Sequence, residues 1–384
     1  MASPNVIDFE RLLSPVPGNN SAGPELRAAE GEDQRLYYAV RDARKKAGDS
    51  ERRLRMYELL TDEEKEQEPG IPEAPNWVAV RELAVEALEN SKDLWITAWL
   101  VESLTRLHGF AGLRDGYRLA REYCRKFWGQ VHPQPDESDD LSTTFAQLAG
   151  LNGIESDGTL IVPIMKIPVT CDTEFGRYSF GDYLDGANLE SRDDAIRVQR
   201  IGHGTVTADM FARAVNKTGV DHFKNLFEDL EQAIQVFKEF GDEVRAKLES
   251  TPNGASFAPP SSSIQEALNE CLRLLKVITR DVLGNGVETG LGSTSVMVVD
   301  GAGTNVVASR MQTREDAFRA LLQVSDFFRR TEPHSPVSYA VEQAVRWGRM
   351  KLPELLAELV ADDSTRQEIF KRTGINEVSR EPDK

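Results

Sequence analysis

The stretch NWVAVRELAVEALENSKDLWITAWLVESLTRLHGFAGLRDGYRLAREYCRKFW, residues 76–128, decides the fold class. Trp77, Val80, Ala84, Ala87 and Leu88 recur at spacings of three and four with one adjacent pair, which places them on one side of an α-helix. Asn76 stands where its N-cap is expected. A second helix is predicted from about Lys92 to Leu107, where Leu94, Trp95, Ala98, Trp99, Val101, Leu104 and Leu107 form an apolar arc wide enough to touch two neighbours. His108-Gly109 ends it, because glycine enters a left-handed conformation without a side-chain clash. Leu113, Tyr117, Ala120, Cys124 and Phe127 then mark a third helix, closed by the prolines of VHPQP at 131–135. Three such helices with short connections bury their faces against one another, so the fold is expected to be mainly α.

Upstream, Leu36, Tyr37 and Val40 give a helix over Gln34 to Ala47 a short apolar face, and Gly48 is expected to stop it. Arg41, Arg44, Lys45, Lys46, Arg52, Arg53 and Arg55 make this region basic. A solvated helix surface is the commoner reading of such a run, and a site for an acidic partner is the other. Thr61 to Pro75 turns acidic and proline-rich and reads as an exposed loop.

Downstream, TLIVPIMKIPVT at 159–170 is β-branched and interrupted by Pro163 and Pro168, which suits an edge strand or an apolar loop laid over the helices. CDTEFGRYSFGDYLDG at 171–186 reads as a partly ordered surface loop. After Gly219, residues Phe223, Phe227, Leu230, Ile234, Phe237, Val244 and Leu248 alternate by four and three if Gly241 fills one place. That seam can close a helical pair within one chain or join two chains.

A Pro/Ser-rich break from Thr251 to Ser263 precedes a helix predicted over Ile264 to Arg280, with Ser263 as cap and Leu268, Cys271, Leu275 and Ile278 on its apolar face. GNGVETGLGSTSVMVVDGAGTN at 284–305 is a flexible connection with at most a short strand in VMVV, and a major boundary is placed near Leu283 to Ser309. Three short amphipathic helices should follow, carrying Phe318, Leu321, Leu322, Ser325 and Phe328, then Val337, Val341, Ala344 and Val345, then Leu352, Leu355, Leu356 and Leu359. So short a unit has little core of its own, which makes self-association a sensible source of further burial.

Composition narrows the function. The chain has 384 residues, 40% of them hydrophobic, so it can fill a core, and two or three folded units are expected. With 63 acidic residues against 46 basic, its net charge of −17 disfavours nucleic acid and anionic membrane surfaces as partners. No apolar run approaches the roughly 20 residues that span a bilayer, and MASPNVIDFE lacks the features of a secretory signal, so a cytoplasmic protein without membrane insertion is expected.

Reaction chemistry finds no foothold in the sequence. Cys124, Cys171 and Cys271 give neither a disulfide framework nor paired ligand spacing. His108, His132, His203, His222 and His334 form no HExxH or other compact ligand group, and each is read as structural or superficial. The pairs Asp139-Asp140, Asp193-Asp194 and Asp362-Asp363 lie in polar stretches that suggest solvation. GAGTN at 301–305 lacks the lysine and hydroxyl of a phosphate-binding loop, and IGHGT at 201–205 is no nucleophile elbow. No enzyme, cofactor or metal is expected. The competing readings are a hydrolase or nucleotide-dependent regulator with a pocket assembled from dispersed residues, and an adaptor that works as a monomer.

Four stretches carry a family resemblance: LLSPVPGNNSAGPELR at 12–27, residues 76–116 with their NSKDLW turn, FWGQVHPQPD at 127–136, and RMQTREDAFRALLQVSDFFRRTEPHSPVSYAVEQAVRWGRMKLPELLAEL at 310–359. In these the chain resembles the TssA, or ImpA-like, family of bacterial type VI secretion. The resemblance implies a helical N-terminal ImpA-type docking domain at 1–190 and a helical middle region at 191–282. A Gly-rich flexible linker at 283–309 and a C-terminal helical oligomerisation domain at 310–377 would follow. It further implies a homo-oligomer of ring-like form that contacts baseplate components, tail tube and sheath proteins and, in some members, the membrane complex, at the inner face of the cell envelope. Carried onto this sequence, Ser91, Lys92, Asp93, Trp95 and Trp99 become candidates for docking or for structural support. Phe327, Phe328, Glu332, Pro333, His334, Ser335, Pro336, Arg346 and Trp347 become candidates for a subunit interface.

Overall fold

The computed structural model describes residues 2–135, 141–153, 158–190, 193, 197–198, 200–201, 204–250, 259–283, 318, 321–322, 325–326, 329, 336–350, 352–359, 362, 366 and 371–372. In chain order the helices within them are α1 (Phe9–Leu13), α2 (Glu32–Glu58), α3 (Asp62–Gln67), α4 (Trp77–Asn90), α5 (Leu94–Lys126), α6 (Ser142–Asn152), α7 (Ile161–Met165), α8 (Phe180–Glu190), α9 (Ala208–Lys217), α10 (Val220–Glu249), α11 (Ser262–Ile278), α12 (Arg280–Leu283), α13 (Val337–Arg349) and α14 (Leu352–Leu359). Among the described residues, β structure is limited to isolated bridges, and no helix is long and apolar enough to cross a membrane. The fold is mainly α-helical. Two compact units divide the chain, Met1–Glu288 and Thr289–Lys384.

The first unit is organised on α4 and α5. Asn76 caps α4 as its position predicts, accepting a hydrogen bond from the Ala79 amide at 3.0 Å, and Trp77, Val80, Ala84, Ala87 and Leu88 are all buried. Inside α5, Gly109 has φ 58° and ψ −134°, a conformation glycine tolerates, and the chain folds back on itself there. A Cβ on Gly112 would lie 2.0 Å from the Leu104 carbonyl oxygen, and one on Gly116 would lie 2.7 Å from Val101 Cγ2. In a continuous helix Val101 and Gly116 would stand about 22 Å apart. Glycines therefore let the two halves of α5 close as a hairpin, and the break expected at His108-Gly109 is present.

α10 supplies the next layer, packing along α5 with α11 behind it. The seam on α10 is intrachain. Phe223, Phe227, Leu230, Phe237, Val244 and Leu248 are buried and Ile234 packs against the core, as expected. One place differs: Phe240 fills the seam, and Gly241 faces open space. The edge of the α5–α10 contact holds a buried ion cluster. Arg114 donates to Asp115 (2.8 Å), Asp229 (3.4 Å) and Gln232 (3.1 Å), and to the carbonyls of Ser3 (3.0 Å) and Pro4 (3.2 Å). Ser3 in turn donates its amide and hydroxyl to Asp229, at 2.8 and 2.6 Å, and Val6 donates its amide to Asp115 at 2.6 Å.

Other expectations are corrected. Gly48 does not stop α2, which continues to Glu58. Glycine weakens a helix by about 1 kcal/mol without forbidding it, and tertiary partners hold the turns on both sides. Arg44 clasps buried Glu102, which also accepts from Thr159 at 2.7 Å, while Glu51 pairs with Arg106 at 3.0 Å. Within Thr61 to Pro75 a reciprocal Thr61–Glu64 capping box starts the short helix α3. Residues 159–170 hold no edge strand: Ile161–Met165 is a helical turn, and Leu160, Ile164, Ile167 and Val169 cover the core. Phe180, expected in a surface loop, is fully buried at the start of α8, where Ser179 and Asp182 bond reciprocally. α11 begins at Ser262 with Ser261 in the cap position, so Ser263 is not the cap. Cys124 and Cys271 are buried and Cys171 is half-buried, all as free thiols. His203, His334, Asp139-Asp140, GAGTN and nearly all of the expected linker lie outside the described residues.

Candidate functional site

The NSKDLW turn between α4 and α5 is the meeting point of segments far apart in sequence. Ser91 leaves α4 in an extended conformation, and its hydroxyl donates to the Pro24 carbonyl at 2.7 Å. The Lys92 amide donates to the Ala22 carbonyl at 2.7 Å, the His132 amide donates to the Lys92 carbonyl at 2.9 Å, and the Leu94 amide donates to the His132 carbonyl at 2.8 Å. Asp93 caps α5, accepting from the amides of Trp95 (2.7 Å) and Ile96 (3.1 Å). His132 Nε2 lies 3.0 Å from the Gly23 carbonyl and so carries the proton there. Gly23 has φ +80°, and a Cβ on it would meet the Asn90 carbonyl oxygen at 2.2 Å. Three of the four stretches singled out in the sequence thus converge on one turn.

The site is held from within. Ser91 and Lys92 have no exposed surface, and Asp93 is buried. Burial lowers the Lys92 ammonium to about 8, with Glu89 pushing the other way, and its Nζ donates to the Leu88 carbonyl at 3.0 Å above the Tyr123 ring. Burial raises the Asp93 carboxyl to about 6 against the opposing pull of the Ile96 and Trp95 amides. Trp95 and Trp99 reach to α6, donating indole protons to the Thr143 carbonyl at 2.8 Å and to Gln147 at 3.2 Å. Apart from His132 Nδ1, which is buried without a hydrogen-bond partner, the polar groups described here engage neighbours in the fold, which makes the cluster a rigid junction. Among the described residues no group of three His, Cys, Asp or Glu side chains is placed to hold a metal ion.

A family model described as "ImpA, N-terminal, type VI secretion system" matches residues 13–153, which span this junction. Type VI secretion system component TssA1 of Pseudomonas aeruginosa is 25% identical over 307 residues, covering 78% of this chain and 84% of that one. In both comparisons the chain is similar to the TssA/ImpA-like family. A solved N-terminal domain, including the conserved ImpA_N region, of the TssA component from Burkholderia cenocepacia shares the fold. Its TM-score is 0.56 at 21% identity, over 71% of this chain and 94% of that one.

The other stretch that carries the resemblance, 310–359, lies in the C-terminal unit. Phe327, Phe328, Glu332, Pro333, His334 and Ser335 fall outside the described residues. Pro336 occupies the position before α13. Arg346, Trp347 and Gln343 converge on Glu358 of α14, the indole at 3.0 Å and the Gln343 amide at 2.8 Å. The Trp347 bond leads the causes that hold the Glu358 carboxyl below its ordinary value. Arg346 and Trp347 therefore tie α13 to α14 within one subunit.

Sequence reading passed over Gly23, Tyr123 and the Arg44–Glu102 and Arg114–Asp229 pairs. Of these only Gly23 carried a usable signal, a glycine before proline in a stretch already singled out.

Proposed function

We propose that this chain is a non-enzymatic assembly factor of the type VI secretion machine that coordinates the baseplate with tail tube and sheath assembly at the inner face of the envelope. The N-terminal match carries the reading: residues 13–153 fit the ImpA model, and the junction within them is a structural device in which Ser91, Lys92 and Asp93 bond inside the fold. In this view 1–190 recruits machine components and 191–282 braces it. Residues 283–309 link it to 310–377, which oligomerises into a ring. Ser91, Lys92 and Asp93 shape the recruiting surface from beneath, while Phe327, Phe328, Glu332, Pro333, His334, Ser335, Pro336, Arg346 and Trp347 order the subunit contact. Exposed apolar side chains in the C-terminal unit support self-association: Leu321, Val337, Tyr339 and Leu359 are 39%, 39%, 64% and 54% exposed.

Absolute mass by light scattering tests the division of labour. The full chain should run as a closed multimer, and a chain ending at residue 283 should fall to a smaller species. A full chain that stays monomeric at micromolar concentration would overturn the proposal and favour a monomeric adaptor.

A further inference from the structure

The inner face of α2 is fully used. Tyr37, Val40, Ala47 and Ser50 are buried, Arg44 clasps Glu102, and Glu51 holds Arg106, which stacks 4.0 Å from the Trp77 ring centre. The outer face is different. Tyr38, Arg41, Lys45, Gly48, Arg52, Met56 and Leu59 follow one another at intervals of three and four, so they form a single stripe along the helix. Over 21 residues it runs about 31 Å. Its large apolar members are open to solvent: Tyr38 by 37%, Met56 by 65% and Leu59 by 75%.

Three observations say what this stripe accepts. Its middle is cationic on a chain of net charge −17. Arg41 pairs with solvated Asp42 at 3.0 Å and lies 4.5 Å from the exposed Tyr38 ring centre, and Arg52 pairs with solvated Asp49 at 3.4 Å. Exposed pairs of that kind contribute little and exchange readily. Its apolar end, Met56 and Leu59, offers flexible thioether and branched surface of the sort that receives hydrophobic side chains. Its centre is Gly48, a weak helix former that internal packing does not require, since a Cβ there would meet nothing within 4 Å. A glycine at the middle of an exposed helix face lets a second helix approach closely.

We infer that the outer stripe of α2, from Tyr38 to Leu59, is a docking site for an acidic amphipathic helix of a partner protein. The partner's carboxylates pair with Arg41, Lys45 and Arg52, its backbone crosses at Gly48, and its apolar residues cover Met56 and Leu59. The acids of α3 follow Leu59 within a few residues, so the partner's carboxylates are directed to the Arg41 end and its uncharged end to Leu59. Nucleic acid fits poorly, because the rest of the chain repels phosphate and the apolar end would go unused. The inference deepens the recruiting role proposed for the N-terminal unit by giving that role a surface.

Fluorescence anisotropy on the full chain tests it, with two synthetic helical peptides of 22 residues as probes. Both carry leucines at helical spacing, flanked by Glu in one and by Lys in the other. The Glu peptide should bind, weakening about tenfold between 50 and 500 mM salt, and the Lys peptide should not. Gly48→Gln and Arg52→Glu should each weaken the Glu peptide about tenfold or more, with thermal midpoints matching the parent. Gly48→Ala serves as the folded control and should bind nearly as the parent does. Equal binding of both peptides, no binding, or indifference to Gly48→Gln and Arg52→Glu would overturn the assignment. A drop in assembly mass for Gly48→Gln without peptide would also overturn it, by assigning the stripe to a second copy. Peptide binding leaves the mass measurement untouched, so failure here is distinct from failure of the assembly proposal.

Discussion

Asp93→Asn isolates the electrostatic character of the junction. The Asp93 carboxyl rises from 3.8 to about 6 in the fold because burial outweighs the two amide hydrogen bonds it accepts. The difference of about 2 pKa units corresponds to roughly 3 kcal/mol, at about 1.4 kcal/mol per unit. The fold therefore binds this proton more tightly than the unfolded chain does. Stability contributed by the group is greatest below about pH 4 and declines as pH rises to about 6, beyond which it is flat. Asparagine keeps the Oδ1 acceptor for Trp95 and Ile96 and stays uncharged, so it imitates the protonated form at every pH. Asp93→Asn should match the parent near pH 4 and exceed it by up to about 3 kcal/mol at pH 7.5, less whatever the charged cap bonds contribute. Urea unfolding of both chains at pH 4, 5, 6 and 7.5 measures the difference, in which titrations common to both cancel. A gap that does not change with pH, or an asparagine variant less stable than the parent by more than about 1 kcal/mol at pH 7.5, would show that burial does not hold the Asp93 proton.

Gly112→Val should drive a side chain into the Leu104 carbonyl, which cannot move without opening the α5 hairpin, and calorimetry should show a loss of about 3 kcal/mol or more. Glu102→Gln leaves Arg44 facing a neutral partner and should cost about 3 kcal/mol in denaturant titrations, whereas Glu102→Leu paired with Arg44→Met should recover most of it. On α10, Phe240→Ala should lose about 3–5 kcal/mol while Gly241→Ala gains up to about 1, an asymmetry that thermal melts resolve and that the opposite register would reverse.

Where apolar residues repeat on one helix face, the fold is readable. Trp77 to Leu88, and Leu113 to Phe127, are buried as their spacing predicts, and Asn76 caps where it stands. Local signals failed where distant partners decide. Gly48 looks like a stop until Arg44 and Glu51 on either side find Glu102 and Arg106, and Phe180 looks superficial until α8 turns it inward. The heptad rule put Gly241 at the one place in the seam that Phe240 fills. The junction is the hardest case. Ser91 bonds to Pro24, and His132 to Gly23, across 67 and 109 positions, and no local pattern announces such pairings. Family likeness located the three segments, and geometry alone brings them to one turn.

The tether of residues 3–6 has a consequence for synthesis. Ser3 bonds Asp229 across 226 positions, and Val6 bonds Asp115 across 109. A ribosome adding about 5–20 residues per second needs on the order of 10 s or longer to deliver Asp229 after Ser3 has emerged. Until then the Arg114–Asp115 pair lacks its remaining anion and the leading segment has no complete socket. Residues 3–6 can settle only after α10 has followed them off the ribosome, 226 positions later.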